Sequence, residues 1–372
     1  MDLKINCIGR IALIKSKIGT AIQDFLLNQS GKLTQKLIHF FGDYLYIIKM
    51  DVTEACNINC KMCYASKNYT VPKEKILSIL DQIKNVPLRL DLLGGEPLLR
   101  KDLATIIAYA KQQAKIKEIT LYTNGTLVTE KIANELHAAG LDNAIVSLIS
   151  HDPKIHDSFV GMDGAWQKTA SGIKNFAAAG VKTYTFTAMH TENIETIDQI
   201  YQFVTEQLKV SPLFYQYIPQ RINDPLLPSK KQWHECKHKI LYQLSKKHTE
   251  FFKKVVRCCQ TACLGGKYAL SIKTNGDVTP CPFIHDLVLG NVYQQNIWDI
   301  FAQRYKTTHF HEFTTLDASC LSCTYKKLCG GGCRAGNKLI ANNYLGKDCR
   351  CMGPYHDRIS DDKIADRMPT FF

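Results

Sequence analysis

The chain has 372 residues, of which 45% are hydrophobic, so it is long enough for one large globular domain and a smaller one. Its formal net charge is +13. The sequence contains no apolar stretch long enough to cross a membrane, and Asn6, Arg10 and Lys15 interrupt its start before a signal-peptide core could form. These features argue against a membrane-spanning or secreted protein and predict a cytoplasmic one.

A basic, amphipathic helical pattern over residues 1–43 opens the chain. We expect this region to pack against the domain that follows it. Docking to a membrane surface or to a substrate carrier is the alternative, although peripheral membrane contact is not expected.

From residue 44 to residue 220, β-rich runs alternate with helical patterns. The β-rich runs cover 44–52, 88–93, 118–123, 143–149, 181–188 and 212–218. Apolar residues three and four positions apart indicate helices, which cover 74–85, 103–114, 130–140, 166–180 and 194–208. Strands joined by crossover helices predict a parallel sheet, so the expected fold class is α/β, with a partial (β/α)6 TIM-like barrel.

Two motifs stand directly after the first two predicted strands. The stretch TEACNINCKMCYAS contains Cys56, Cys60 and Cys63 with the spacing Cys-x3-Cys-x2-Cys, and Gly-Gly-Glu-Pro covers residues 94–97. The chemistry of parallel α/β proteins lies at the carboxyl ends of their strands. We therefore expect both motifs at the same rim of the barrel.

Closely spaced thiolates bind either Zn²⁺ or an iron–sulfur cluster. A structural zinc site needs four ligands, and the sequence around residues 56–63 offers no fourth, since the nearest histidines are His39 and His137. A four-iron cluster held by three cysteines leaves one iron open. An open metal position is typical of a catalytic site, because a substrate or cosubstrate can bind there.

Residues 221–257 are predicted to form a basic helical linker. Within this linker, residues 230–257 carry nine Lys or Arg and two Glu, with apolar residues at helical spacing. The solvated face of an ordinary helix accounts for this charge, so no nucleic-acid partner is expected.

Residues 258–351 form a second region, rich in Cys and Gly, and residues 352–372 form a C-terminal tail. Asn275-Gly276 predicts a β-hairpin in the second region. Its cysteines fit iron–sulfur clusters, with a zinc ribbon as the alternative. Because this region is poor in apolar residues, we expect its metal to supply the folding energy that it lacks.

The order of Cys-x3-Cys-x2-Cys and Gly-Gly-Glu-Pro resembles the radical S-adenosylmethionine (SAM) superfamily. The resemblance implies that Cys56, Cys60 and Cys63 hold a [4Fe–4S] cluster whose open iron binds SAM. The reduced cluster would cleave SAM to methionine and a 5′-deoxyadenosyl radical, which abstracts hydrogen from a substrate.

The resemblance also implies SAM contacts, by Met62, Gly94, Gly95, Glu96, Pro97, Asn124 and Ser147. Residues 94–97 would offer their backbone to the amino group of SAM. Met62 stands where the family usually has an aromatic residue near the adenine. For Asn124 and Ser147 the alternatives are a turn residue and a buried strand residue.

The spacing of the downstream cysteines resembles the seven-cysteine pattern of SPASM domains, which implies two auxiliary [4Fe–4S] clusters. The first would use Cys259 or Cys258 together with Cys263, Cys281 and Cys333. The second would use Cys320, Cys323, Cys329 and either Cys349 or Cys351. In sulfatase-maturing relatives an Asp base directly follows the residue equivalent to Cys281, but Pro282 stands here, so no catalytic base is predicted.

The function that the resemblance implies is that of a radical SAM oxidoreductase or maturase that oxidatively modifies a ribosomally synthesised peptide. One alternative is a small molecule, saccharide, lipid-linked substrate or cofactor precursor as the substrate. Another is a non-catalytic, zinc-containing binding protein. The expected partners are the substrate, a reductant such as flavodoxin or ferredoxin, and a separate protein that binds a leader peptide.

Overall fold

The computed structural model describes residues 46–63, 69–236, 263–324 and 326–353. The predicted region 1–43, most of the basic linker and the tail beyond residue 353 lie outside these residues, as do Cys258 and Cys259. The part of the linker that is described includes helical residues 230–236.

Six parallel strands form the main sheet, as predicted. They are β1 Tyr46–Thr53, β2 Leu88–Gly94, β3 Glu118–Thr123, β4 Asn143–Ser147, β5 Lys182–Met189 and β6 Ser211–Gln216. Each strand pairs in parallel with the next one along the chain. The carboxyl ends of the strands therefore lie at one edge of the sheet, here called the rim.

Helices connect these strands, and all five predicted ones are present. The helices are α1 Lys73–Gln82, α2 Leu103–Gln112, α3 Glu130–Ala139, α4 Pro153–Val160, α5 Ala165–Ala178 and α6 Ile197–Gln202, the last continuing into a π-helical turn. Helix α4 was not predicted. Its signals are local, since the Asp152 carboxylate accepts a hydrogen bond from the Lys154 N–H at 2.7 Å and Pro153 takes the first helical position.

Alternation along the strands separates a helix-covered face from an inner face. Ile48 and Met50 of β1 belong to the main apolar core, together with Leu90 of β2. The intervening side chains, such as Lys49 and Asp51, lie on the inner face. The apolar core thus lies between the sheet and the helices, and polar groups remain on the inner face at the rim motifs.

Three further strands from the Cys-rich region extend the same sheet. Strand β7 Ala269–Ile272 pairs in parallel with β1, β8 Asp277–Thr279 pairs antiparallel with β7, and β9 Gly290–Asn291 pairs antiparallel with β8. The hairpin predicted at Asn275-Gly276 is confirmed, with Gly276 at a φ of 87°. The Cys-rich region is therefore joined to the barrel by backbone hydrogen bonds.

The Cys-rich region also contributes to the main core, which corrects the expectation that it is poor in apolar residues. Helix α7 Ile297–Gln303 buries Trp298, Ile300 and Phe301. The Trp298 indole N–H donates to the carbonyl of Gln82 in α1 at 2.7 Å. Packing against the barrel therefore stabilises this region. The remaining described helices are α8 Thr308–Thr314, α9 Lys326–Cys329 and α10 Arg334–Ala341.

In the part of the chain described here, no helix has both the length and the apolar character needed to cross a bilayer.

Candidate active site

The two sequence motifs meet at the rim through direct backbone contact. The N–H of Gly95 donates to the carbonyl of Thr53 at 2.7 Å. A Cβ on Gly94 would lie 1.9 Å from the Thr53 oxygen, and a Cβ on Gly95 would lie 2.2 Å from the Ala55 oxygen. Only glycine therefore allows the Gly-Gly-Glu-Pro backbone to lie against the loop that leads into Cys56.

Glu96 is fully buried and joins the ends of β2 and β3. Its carboxylate accepts hydrogen bonds from the Thr123 hydroxyl at 2.7 Å, the Asn124 N–H at 2.7 Å and the Leu98 N–H at 3.0 Å. Burial raises the pKa of Glu96 to about 7, although these three donors lower it. The side chain is engaged inside the protein, and buried Pro97 begins a short 3-10 turn, so any ligand contact of this turn falls to its backbone.

Asn124 lies beside the cysteine loop and also closes a local turn. Its amide Nδ2 donates to Asn57 Oδ1 at 2.9 Å and lies 4.0 Å from Cys56 Sγ. Its Oδ1 accepts a hydrogen bond from the Thr126 N–H at 2.9 Å. Both predicted roles of Asn124 are therefore compatible with its position. Asn57 was missed, and its signal is its place inside the three-cysteine motif.

The cysteine loop has one apolar side and one open side. Cys56, Cys60 and Met62 pack against an apolar cluster that includes Phe159. Cys63 is exposed, and its N–H donates to the Cys60 carbonyl at 3.1 Å. No disulfide joins any of the described cysteines. This arrangement suits a cluster that is shielded on one side and accessible on the other.

Aromatic side chains line the inner face at the ends of β5 and β6. Ser147, the last residue of β4, is half-buried and pairs in register with Phe186 of β5. The Phe186 ring stacks on Tyr215 of β6 with the centroids 4.6 Å apart, and Tyr215 is 41% exposed. The structure therefore places Ser147 next to accessible aromatic rings.

Charged side chains occupy the inner face of β1 and β2. The Arg89 guanidinium donates to both carboxylate oxygens of Asp91, at 2.7 and 3.0 Å, and Asp91 is fully buried. The ammonium of Lys49 lies 5.9 Å from the centroid of the Tyr122 ring. Burial raises the pKa of Asp91, while Arg89 and Lys49 lower it. The inner face thus carries the positively charged side chains of Arg89 and Lys49 together with aromatic rings.

Cys263, Cys281 and Cys333, the predicted ligands of the first auxiliary cluster, pack against the same apolar cluster in the Cys-rich region. Burial, and then repulsion from Cys263 and Cys333, raises the pKa of the Cys281 thiol to about 12. Burial raises the pKa of Cys333 to about 11. A positively charged centre bound to these thiols would favour their thiolate forms.

Four other cysteines surround one cavity. The residues that line it are Ser319, Cys320, Cys323, Lys326, Cys329, Gly331, Lys347 and Cys351. Gly330, Gly331 and Gly332 all have positive φ, between 59° and 84°, which folds the chain sharply beside the cavity. Four soft sulfur donors around one space match the ligand number of a fully ligated [4Fe–4S] cluster.

Arg350, which lies between Cys349 and Cys351 in the sequence, forms a buried ion pair with Asp348. The Arg350 guanidinium donates to the two Asp348 carboxylate oxygens at 2.8 and 2.9 Å, and both side chains are buried. Burial raises the pKa of Cys349, while the adjacent Arg350 lowers it. Of the two predicted alternatives, the structure brings Cys351 to the cavity of Cys320 and does not bring Cys349 there.

The turn between β7 and β8 contacts both the cysteine loop of the barrel and the segment that follows Cys281. The sequence did not indicate these contacts. The Thr274 hydroxyl donates to a carboxylate oxygen of Glu54 at 2.5 Å, at the start of the cysteine loop. The Lys273 ammonium donates to the carbonyl of Pro282, which directly follows Cys281. The missing information was the parallel pairing of β7 with β1, which brings this turn to the rim.

Two family profiles match the sequence. The profile of the radical SAM superfamily matches residues 50–204, and the SPASM profile, described as an iron–sulfur cluster-binding domain, matches residues 263–324. The chain belongs to the radical SAM superfamily and carries a SPASM domain. The predicted family is therefore confirmed, and with it the α/β fold with a Cys-rich C-terminal domain.

Other radical SAM proteins resemble most of the chain. It is 25% identical over 339 residues to the AdoMet-dependent heme synthase of Methanosarcina barkeri, covering 82% of this chain and 96% of that relative. It is 25% identical over 344 residues to the PqqA peptide cyclase of Rhizobium meliloti, covering 83% and 88%. The structure of Streptococcus suis SuiB bound to S-adenosylmethionine shares the fold, with a TM-score of 0.65 at 18% identity, covering 83% of this chain and 77% of SuiB.

This radical SAM protein is an enzyme, and its cofactors are S-adenosylmethionine and [4Fe–4S] clusters. The alternative of a non-catalytic zinc-containing protein is therefore wrong. The chemistry of the donor sets fits these cofactors, because thiolates are the ligands that iron–sulfur clusters require.

Proposed function

We propose that the enzyme reductively cleaves S-adenosylmethionine and uses the resulting 5′-deoxyadenosyl radical to abstract hydrogen from a substrate at the inner face of the barrel. The substrate is oxidised in the course of the reaction. The observation that carries this proposal is the backbone contact between the Cys56 loop and Gly94–Gly95 at the rim. This contact supports a cosubstrate site beside the inner face.

Each rim residue has a proposed role. Cys56, Cys60 and Cys63 would hold the SAM-binding cluster, which supplies the electron for cleavage when bound. The backbone of the Gly-Gly-Glu-Pro turn would receive the amino group of SAM, because the glycines leave no side chain in the way. Further SAM contacts are proposed for Met62, Asn124 and Ser147, and Glu96 would hold the turn in place through its buried carboxylate.

Two auxiliary cluster sites are proposed in the SPASM domain. The first would use Cys263, Cys281 and Cys333 with Cys259 or Cys258, and the second would use Cys320, Cys323, Cys329 and Cys351. Fully ligated clusters offer no iron to a substrate, so their chemistry is electron transfer. A small redox protein such as flavodoxin or ferredoxin is the proposed reductant.

Anaerobic reconstitution tests the proposed chemistry. The wild-type protein is expected to bind about twelve iron atoms per chain if all three sites hold four-iron clusters. After reduction with dithionite in the presence of SAM, chromatography should detect 5′-deoxyadenosine. A reduced, iron-loaded protein that leaves SAM intact would refute the proposal.

The substrate that the inner face fits best is a conjugated cofactor precursor with carboxylate groups. The exposed ring of Tyr215 stacks on Phe186 and offers a surface for a planar molecule. Lys49 provides a cation on the same face, and a carboxylate is a group that a lysine ammonium binds. The similarity to the AdoMet-dependent heme synthase supports this substrate class.

A peptide is the second candidate substrate. The similarity to the PqqA peptide cyclase supports it, and the chain covers most of that relative. In this case the reaction would be an oxidative modification of a ribosomally synthesised peptide, and a separate protein would bind its leader segment.

Binding of iron coproporphyrin III and its methyl ester distinguishes these candidates. The free acid should bind more tightly than the ester, because esterification removes the negative charge of the carboxylates. The absorbance of the porphyrin measures its binding. Lys49→Gln should weaken binding of the acid about tenfold, since it removes a charge-assisted hydrogen bond. The exposed Lys168 of α5 provides the control, because Lys168→Gln leaves the inner face intact.

Equal affinity for the acid and the ester, or no effect of Lys49→Gln, would refute the carboxylate-bearing substrate. A precursor peptide encoded beside the gene that loses two hydrogens in the presence of the enzyme, as seen by mass spectrometry, would establish the peptide candidate instead.

A further inference from the structure

We infer that Lys273 is a positioning residue for the first auxiliary cluster, where its ammonium holds a positive charge beside Cys281 and raises the reduction potential of the cluster. The inference rests on the proposed function, in which Cys281 is a ligand. It goes beyond that function because it assigns a role to a residue that ligates nothing.

Lys273 is held in place by contacts on two sides. Its side chain is 12% exposed and its Nζ donates to the carbonyl of Pro282, the residue after Cys281. The same Nζ lies 3.6 Å from a carboxylate oxygen of Asp51 at the end of β1. Burial lowers the pKa of Lys273, while Asp51 and then Cys281 raise it, so the ammonium lies within electrostatic reach of this thiol.

The backbone of the same turn is tied to the barrel. Strand β7, which ends one residue before Lys273, pairs in parallel with β1. The next residue, Thr274, donates its hydroxyl hydrogen to Glu54 at 2.5 Å. The position of the ammonium is therefore fixed relative to both Cys281 and the loop that carries Cys56.

The physical effect follows from the sign of the charge. A cluster becomes more negative when it accepts an electron, so a nearby positive charge stabilises its reduced form and raises its potential. The effect is large when the charge is buried, because screening is weak there. Pro282, which accepts the hydrogen bond from Lys273, adds no charge of its own.

Potentiometric titration followed by electron paramagnetic resonance tests this role. The full-length protein with Cys56, Cys60 and Cys63 replaced by Ala should show only the auxiliary clusters, and Cys281→Ala should identify the first of them by removing its signal. In this background Lys273→Met is expected to lower the reduced-to-oxidised ratio of the first cluster about tenfold at a fixed potential. This change corresponds to about 59 mV for a one-electron couple.

Two matched variants separate charge from structure. Lys273→Arg keeps the charge and should keep the potential near that of wild type. Lys338→Met removes a lysine of the same domain that pairs with Asp286 at 3.2 Å, and it should leave both auxiliary potentials unchanged.

The inference is overturned if Lys273→Met leaves the potential of an intact first cluster unchanged, or if Lys273→Arg lowers it as much as Met does. Loss of iron in both Lys273 variants, with no change in the potential of the remaining first cluster, would indicate a merely structural role and also overturn it. A wild-type protein that holds zinc in place of iron would refute the proposed function itself, which distinguishes the two failures.

Discussion

Replacing Cys56, Cys60 and Cys63 together by Ala is expected to abolish formation of 5′-deoxyadenosine and to reduce bound iron from about twelve to about eight atoms per chain. These three cysteines lie on the loop whose backbone contacts Gly94 and Gly95, and no other described cysteine lies on that loop, so no other described thiol can replace them at the rim. The auxiliary sites use different cysteines and should keep their iron. Iron analysis and chromatography of the products after reduction with SAM provide the two measurements.

The control for this experiment is Cys236→Ala. Cys236 is 2% exposed, and its Sγ lies 3.5 Å from the sulfur of Met189, so it packs in the core away from the cysteine loop. Its replacement should cost about 1 kcal/mol of stability and leave both the iron content and SAM cleavage unchanged. If the triple variant still produced 5′-deoxyadenosine at the rate of the Cys236 variant, the radical chemistry could not be assigned to the loop.

The barrel was predictable because each of its elements carries a local signal. The strands of the first 220 residues alternate with amphipathic helices, and that periodicity is sufficient for a parallel sheet. Helix α4 was missed because it has only eight residues, and its capping residues Asp152 and Pro153 lie in a short polar segment soon after the end of β4.

The extension of the sheet by β7 to β9 was not predictable from local patterns. The pairing of Ile48 with Leu270 joins residues more than two hundred positions apart, and nothing in either segment specifies the partner. The same long-range pairing places Lys273 and Thr274 at the rim. The contacts between the two cofactor regions therefore depend on tertiary structure that spacing cannot reveal.

The candidate site likewise has features that local sequence patterns predict and features that depend on tertiary structure. The spacing of the cysteines in residues 56–63 and 320–333 was sufficient to single out candidate ligands, and the structure brings Cys320, Cys323 and Cys329 to one cavity. It was not sufficient to choose between Cys349 and Cys351, because both are close enough to the other cysteines along the chain to complete the second ligand set. Only the folded structure distinguishes the two, because Cys351 lines the cavity of Cys320 and Cys349 does not.

Cys351→Ala is expected to remove the second auxiliary cluster, whereas Cys349→Ala is expected to keep it. Cys351 lines the same cavity as Cys320, Cys323 and Cys329, and its loss would leave an iron without its fourth thiolate. Bound iron should fall by about four atoms per chain in the Cys351 variant. Iron analysis and electron paramagnetic resonance of the reduced proteins measure the difference.

The two variants form a matched pair, because one cysteine directly precedes Arg350 in the chain and the other directly follows it. Both remove one thiol from the same short segment, and the ion pair of Asp348 with Arg350 remains in each. Formation of 5′-deoxyadenosine should survive in both, since the rim cysteines are intact, and substrate oxidation should be impaired in the Cys351 variant alone. The opposite pattern, with iron lost from the Cys349 variant and retained in the Cys351 variant, would mean that the segment turns over when the cluster binds and that Cys349 is the ligand.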